Sequence, residues 1–464
     1  MAADSHSAPP AEPVPGGRGG VVLERPRLQY RWEFWVVCAV AVMVPESLLR
    51  GLRPVDLVLL ASLALGVRMT LKKRLPPPVA WTLLLYFVTL GLRVLVELDV
   101  TGNRRTLFGM TAVFLAPVVF FVTRELRISR RAIMWMIGTG VVLALASQMG
   151  VLAAQEAYIS GMVDLSRYLG IERPSVYWLD LVRFPDTTIT VWRALAVGLT
   201  LAAIIARTSL GVKGLGVLCL LFQFGGGGGG RSAFLFVAAS PVVLLALLGA
   251  PQRSRRLTRL LWAGALGLSF AALYFGAPGA TTLDTKELTT HQERILELFS
   301  PSSFAVDDPF GGFSGRISTW MDFWAGATSS PQAFLFGAGI SRGEAYGESA
   351  LGQAHNIFLD TWGLSGLVGL VFLVIFLTIV FRDFRRLLRS APNRGQDQLV
   401  ALTLAGAVLF MAQWLLFQAT TSDRPFMVVF YLLSGMLAPA ARMIEDGRAR
   451  RASIGSPIAT AVGP

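Results

Sequence analysis

Residues 355–389 read HNIFLDTWGLSGLVGLVFLVIFLTIVFRDFRRLLR. From Trp362 to Phe381 there is no charged side chain, and then Arg382, Arg385, Arg386 and Arg389 follow in close succession. About 20 apolar residues let an α-helix cross the hydrocarbon of a bilayer. Within lipid only helices and closed barrels satisfy every backbone polar group. Barrel strands are segments of about ten residues with alternating polarity, and this run is long and continuous. The stretch therefore reads as a transmembrane helix, drawn over residues 355–381. The arginines behind it mark the cytoplasmic end, because cytoplasmic loops carry the excess of Lys and Arg.

The same reading extends in both directions. Spans are expected near 33–49, 54–71, 79–97, 106–123, 132–153, 188–206, 212–225, 232–249 and 257–275, and beyond 355–381 near 398–418 and 426–441. The chain is 53% hydrophobic and 15% charged, against roughly 25% charge in a soluble domain. The net charge of +13 could point to nucleic acid, but most of the basic residues fall at alternate span boundaries. These clusters are Arg18 to Arg31, Arg68 to Arg74, Arg124 to Arg131, Arg207 with Lys213, Arg253 to Arg259, Arg382 to Arg394, and Arg442 to Arg451. That distribution is membrane topology, with both termini cytoplasmic, and it leaves no nucleic-acid partner to infer. Cys38 and Cys219 sit in apolar runs, so no disulfide framework is readable.

The expected fold class is all-α: a polytopic transmembrane helical bundle of about twelve spans. Residues 1–31, rich in Pro, Ala and Gly, form a disordered cytoplasmic tail. Residues 32–275 hold helices one to nine, with an outer loop at 154–187. Residues 276–354 form a large, partly helical outer loop, 355–441 hold the last three spans, and 442–464 are a second cytoplasmic tail. Loops of such length are functional or disordered.

The candidates for chemistry gather on the outer side. Of three histidines, His6 lies in the tail, and His291 reads as a solvated residue of the large loop. His355 opens the tenth span, where an imidazole can hold a proton near neutral pH. From position alone it is equally an interfacial residue or a helix cap. Arg231 follows the glycine run 225–230. Six glycines suit a loop that lets backbone approach a ligand and exposes N–H groups to an anion. The Lys-Ser/Thr ending of a nucleotide-binding P-loop is absent. The alternative for Arg231 is an interfacial side chain. Arg316 lies in FSGRISTWMDFW, residues 313–324, which reads as an amphipathic helix on the membrane or against the bundle. Arg316 is at its start, where the helix dipole favours an anion. Trp320, Trp324 and Phe358 line a lipid or sugar groove, or pack an interface. Asn356 orients the histidine, contacts a sugar, or caps the helix. Asp307 and Asp308 form a metal pair or a solvated turn.

Taken together, GRISTW (315–320), SPQAFLFGAGI (330–340) and AHNIFLDTWGLSGLVGLVFL (354–373) resemble the signature of the O-antigen ligase and O-antigen polymerase superfamily. The pattern is an Arg before an aromatic helix, a Pro–small–apolar–Phe-Gly-x-Gly turn, and a His-Asn opening a span with a Gly-x-x-Gly inside it. The rest of the chain is similar in topology alone. Arg231 also falls where that family carries an arginine at the outer start of a span. The resemblance implies a fold like that of the C-type, membrane-embedded glycosyltransferases. It implies a donor glycan on undecaprenyl pyrophosphate and an acceptor hydroxyl on lipid A–core or on a growing polysaccharide. Arg316 and Arg231 would contact the pyrophosphate, His355 would act at the reaction centre, and Asn356 and Trp320 would belong to the substrate site. No metal and no cofactor is implied. The short separation of Arg316 from His355 leaves ligase and polymerase both open. The competing expectation is a transporter or flippase of lipid-linked glycans. Such proteins show charge at the membrane midplane, broken helices in matched positions and internal repeats; no repeat is legible here, and although Arg93 and Arg193 are drawn inside spans, the polar candidates cluster at one interface.

Overall fold

The computed structural model describes residues 34, 35, 38, 54–71, 116–142, 186–206, 209–225, 240, 244, 314–337, 356–391, 395–417 and 424–455. Every regular element among them is an α-helix. In chain order these are α1 (Pro54–Leu71), α2 (116–125), α3 (130–142), α4 (Asp186–Ile205), α5 (Leu210–Gly225), α6 (Ser314–Thr328), α7 (Pro331–Phe336), α8 (Ile357–Ser390), α9 (Gln396–Phe417) and α10 (Arg424–Gly455). Among the described residues three segments are long and apolar enough to cross a membrane: Ser365–Ser390, Gln396–Leu416 and Phe426–Arg451. A helical membrane protein is thus what the described residues form. The expected spans at 79–97 and 257–275, the outer loop as far as residue 185, and the N-terminal tail lie outside the described residues.

The three spans differ in their surroundings. In α10 and α9, 89% and 72% of the apolar window is buried, whereas in α8 the share is 28%. The first two form the interior, and α8 lies at the rim with Val371, Val374 and Ile375 exposed along one stripe. In lipid no hydrophobic force distinguishes a helix from the tails around it, so packing depends on close backbone approach at small residues. The crossing of α4 and α9 uses this device. Gly198 lies on the backbone of Thr403 and Ala407, where a side chain would collide with the facing helix, and Gly406 lies over Gly198, where a side chain would fit only if its neighbours shifted. Thr200 of α4 adds a hydroxyl donor to the Gly216 carbonyl of α5 at 3.0 Å. Between α2, α8 and α10 the filling is aromatic: Phe376 meets Phe120 edge-on at 4.9 Å and Tyr431 at 4.9 Å.

The C-terminal end of α8 shows why the expected boundary at residue 381 is too early. Arg382, Arg385, Arg386 and Arg389 all face outward, while Asp383, Phe384, Leu387 and Leu388 are buried. Basic residues confined to one face let the helix continue in amphipathic form to Ser390. Similarly, α10 does not stop at residue 441 but runs through the expected tail to Gly455. Ile444 is buried there, and Arg442 donates to the carbonyls of Arg124 and Leu126 where α2 ends.

Ion pairs join the helices at this end. Arg124 donates to Asp383 through Nε at 2.5 Å and Nη2 at 3.2 Å, tying α2 to α8. Arg386 grips Glu445 with two hydrogen bonds, of 3.0 and 2.5 Å, tying α8 to α10. Asp397, at the start of α9, takes Arg130 at 2.6 Å and Arg451 at 3.0 Å. The indole of Trp35 donates to the Arg127 carbonyl at 2.9 Å. Three of the basic clusters picked out in the sequence therefore meet at one end of the bundle.

Burial separates these pairs in strength. The side chains of Arg124 and Asp383 are 15% and 3% exposed, and those of Arg386 and Glu445 are 48% and 39% exposed. Removing one partner of a buried pair leaves an uncompensated charge, which costs about 3 kcal/mol or more. An exposed pair contributes about 1 kcal/mol or less. Asp383→Ala is expected to lower the unfolding midpoint of the detergent-solubilised protein clearly, and Glu445→Ala to lower it little. Equal midpoints for the two variants would contradict this ranking.

Candidate site at the opening of α8

At the other end of α8, α6 and α7 fold back onto its first turns. Ser330 starts α7 as its cap: the hydroxyl accepts from the Ala333 N–H at 3.0 Å, and Pro331 follows at the first helical position. Proline suits that position because its missing N–H would find no helical partner there. Gly337, with φ of 76°, ends the helix. Asn356 does for α8 what Ser330 does for α7. Its Oδ1 accepts from the N–H groups of Phe358 at 2.9 Å and Leu359 at 3.4 Å. Of the roles open to Asn356, capping is therefore the one its oxygen performs, and its side-chain NH2 remains the group that can donate to a ligand.

The helix that Asn356 opens is not continuous. Gly366 has φ of 65° and ψ of −163°, a conformation reserved for glycine. Residues 357–365 form a separate half-helix, and the segment long and apolar enough to cross a membrane begins at Ser365. The helix expected as one span over 355–381 is thus interrupted at Gly366. The reason is a close approach: the backbone of Leu335 and Phe336, at the end of α7, lies directly on Gly366, where a Cβ would collide with it. Trp362 fixes the same contact from the other side. It is buried, its indole N–H donates to the Phe334 carbonyl at 3.1 Å, and its ring meets Trp324 and Phe334 edge-on at 4.9 and 5.4 Å.

α6 docks through a second patch. Phe323 is 1% exposed and packs with Trp320 and Leu359. Trp320 thus contributes to the seating of α6 on α8, the packing alternative left open for it. Arg316 is the third residue of α6, in the first turn, as expected from its sequence. The structure therefore brings together the helix bearing Arg316, the Pro331–Gly337 turn and the half-helix opened by Asn356. His355, one residue before Asn356, lies outside the described residues, as do Arg231, His291, Asp307 and Asp308. Asp360 is fully buried in the half-helix, and sequence reading passes over it. A carboxylate with Ile357 three residues before it and Leu364 four residues after it is its only signal. Among the described residues no three His, Cys, Asp or Glu side chains gather to hold a metal ion.

Compared with known protein families and with curated proteins, the chain matches none.

Gly366 is the position on which the docking turns. Gly366→Ala forces a non-glycine residue into its φ and pushes a methyl group against the α7 backbone, a cost of about 1–3 kcal/mol from strain alone. Trp362→Phe removes one hydrogen bond, about 1 kcal/mol. Both are expected to raise hydrogen exchange over residues 331–337, the glycine variant more. Unchanged exchange in Gly366→Ala would mean that α7 is held by other contacts.

Proposed function

We propose that the chain is a membrane glycosyltransferase of the O-antigen ligase or polymerase type. It moves a glycan from undecaprenyl pyrophosphate to an acceptor sugar hydroxyl, on lipid A–core or on a growing polysaccharide. The observation that carries the reading is the unit just described. Three separate stretches of the sequence resemblance fold against one another, at the end of α8 opposite the arginine-rich end. The positive-inside rule assigns the arginine end to the cytoplasm, so the unit faces the periplasm of a multi-pass inner-membrane protein of about twelve spans with both termini cytoplasmic.

The reaction asks little of the protein. The acceptor oxygen attacks the anomeric carbon, the bond from that carbon to the phosphate oxygen breaks, and its electron pair leaves on pyrophosphate. A single displacement inverts the anomeric centre. Arg316 and Arg231 stabilise the charge that develops on the leaving group. Arginine presents a planar fork of donors to phosphate, and donors already aimed at developing charge supply much of the rate enhancement in many enzymes. His355 takes the proton of the attacking hydroxyl as general base. Asn356 holds the start of α8 beside it, with its NH2 toward a sugar. Trp320 keeps α6, and with it Arg316, in register. The chemistry needs neither metal nor cofactor.

The test is glycan transfer by the purified, reconstituted protein from a defined undecaprenyl-pyrophosphate glycan, with and without lipid A–core. His355→Ala is expected to reduce turnover about 10²–10⁴-fold, the usual contribution of a general base. Arg316→Ala is expected to weaken donor use, with Arg316→Lys intermediate because it keeps charge but loses the fork. Undiminished transfer by His355→Ala removes the base role. Absence of transfer by the parent protein, with either acceptor, removes the reading itself.

A further inference from the structure

The helices α6 and α7 leave an apolar surface uncovered. Met321 is 68% exposed, Trp324 56% and Phe336 52%, with Phe334 and Leu335 beside them. These residues belong to short helices rather than spans, so their exposure does not follow from crossing the membrane. Three observations say what covers them. The first is depth. The end of α7 lies on Gly366, the second residue of the apolar segment Ser365–Ser390. From Gly366 to Phe381, the last residue before the arginines, the uncharged helix spans about 24 Å, less than the roughly 30 Å of hydrocarbon in a bilayer. α7 therefore stands at the outer boundary of the hydrocarbon, not above it in water. The second is continuity. Gly366 itself is buried, but residues 367–370 beyond it are partly exposed, and Val371, Val374 and Ile375 then lie exposed on the side of the span open to lipid. The third is composition. The exposed face of α6 pairs Met321 with Trp324 three residues on, and tryptophan concentrates at the boundary of headgroup and hydrocarbon. The polar side chain of Asp322 lies about 100° around α6 from Met321, and the exposed Ser329 follows its last residue.

We infer that α6 and α7 form a membrane-dipping shoulder, with Met321, Trp324, Leu335 and Phe336 in the outer-leaflet hydrocarbon of the bilayer. The opening of α8 is then approached from the lipid side as well as from water, and the loop carrying α6 is seated in the membrane surface. The inference does not depend on the proposed transfer reaction, and its test needs no substrate.

The experiment is nitroxide accessibility on the full chain in phosphatidylcholine–phosphatidylglycerol vesicles. Single sites are introduced as Met321→Cys, Phe336→Cys, Asp322→Cys and Ser329→Cys, with Val374→Cys as the lipid-facing reference. Cys38 and Cys219 are buried, and the unsubstituted chain, treated with the same label, supplies the background. Collision with oxygen is expected to exceed collision with a water-soluble nickel chelate at 321 and 336, as at 374, and the order to reverse at 322 and 329. A nickel-dominated signal at 321 and 336 would overturn the inference by placing the shoulder in water. Exclusion of both reagents there would overturn it by showing a protein surface over the patch. A second measurement avoids any label. Brominated lipid should quench a tryptophan component of the parent protein that Trp324→Phe lacks, and equal quenching in the two also overturns it.

Discussion

An α-helix that enters a bilayer carries its backbone hydrogen bonds with it, and a helix that breaks there must find other partners for the groups it frees. The break at Gly366 falls at the start of the apolar segment Ser365–Ser390, and two short helices pack around it. The end of α7 lies on the glycine backbone, and Trp362 donates to a carbonyl of α7 from just before the break. Trp324 of α6 stacks edge-on against the same indole. One glycine thus allows two short helices to lie on the start of a transmembrane helix, and one tryptophan holds them. Without the break, an uninterrupted α8 would leave no place for the α7 backbone at this depth, and the Arg316 helix would lose the neighbour against which it docks.

The opposite end of the bundle solves a different problem. There the helices leave hydrocarbon, and their charged residues are joined across elements rather than spread over the surface. Asp383, Glu445 and Asp397 each receive arginines from other helices, and Arg442 donates to the last carbonyls of α2, where the helix dipole leaves partial negative charge. The arginines that orient a membrane protein by their number also set the register of α2, α8, α9 and α10. Packing in the middle relies on Gly198 and Gly406 instead, because hydrocarbon gives no reason for helices to associate other than close fit.

Much of this is legible in the sequence because its signals are compositional. The first described helix matches its expected residues at both ends, and α9 agrees to within two residues, since each is an apolar run with polar flanks. The all-helical class follows from the same runs. Boundaries fail where a helix continues past its apolar run. At Arg382 to Arg389 hydrophobicity falls while the 3.6-residue periodicity persists, and from Arg442 to Arg451 the helix continues with Ile444 alone buried and with Glu445 and Arg451 bonded to other helices. The stretch that forms α7 reads as a turn, although Ser330 and Pro331 are a cap and a first helical residue that sequence alone can show. The break at Gly366 is less accessible. Of the glycines at 363, 366 and 369, only the middle one takes a positive φ, and the reason is the α7 backbone, which lies about thirty residues away in sequence.

The candidate site divides along the same line. Arg316 at the start of a helix and Asn356 at the start of another are local features, and local pattern finds both. That the two helices touch is a long-range fact, carried by Phe323, Trp320 and Leu359 and by the pair Trp324–Trp362. Aromatic residues at helical spacing do not announce which of them will be buried, because a ring facing lipid and a ring facing protein are equally apolar. Trp320 and Trp324, one turn apart on α6, illustrate the point. Trp320 packs inward on the Phe323 cluster, whereas Trp324 touches Trp362 with one edge and leaves more than half its surface open. A single helix thereby faces the protein with one aromatic residue and its surroundings with the next. This is the geometry a helix adopts when it joins a bundle to a bilayer surface and is enclosed by neither.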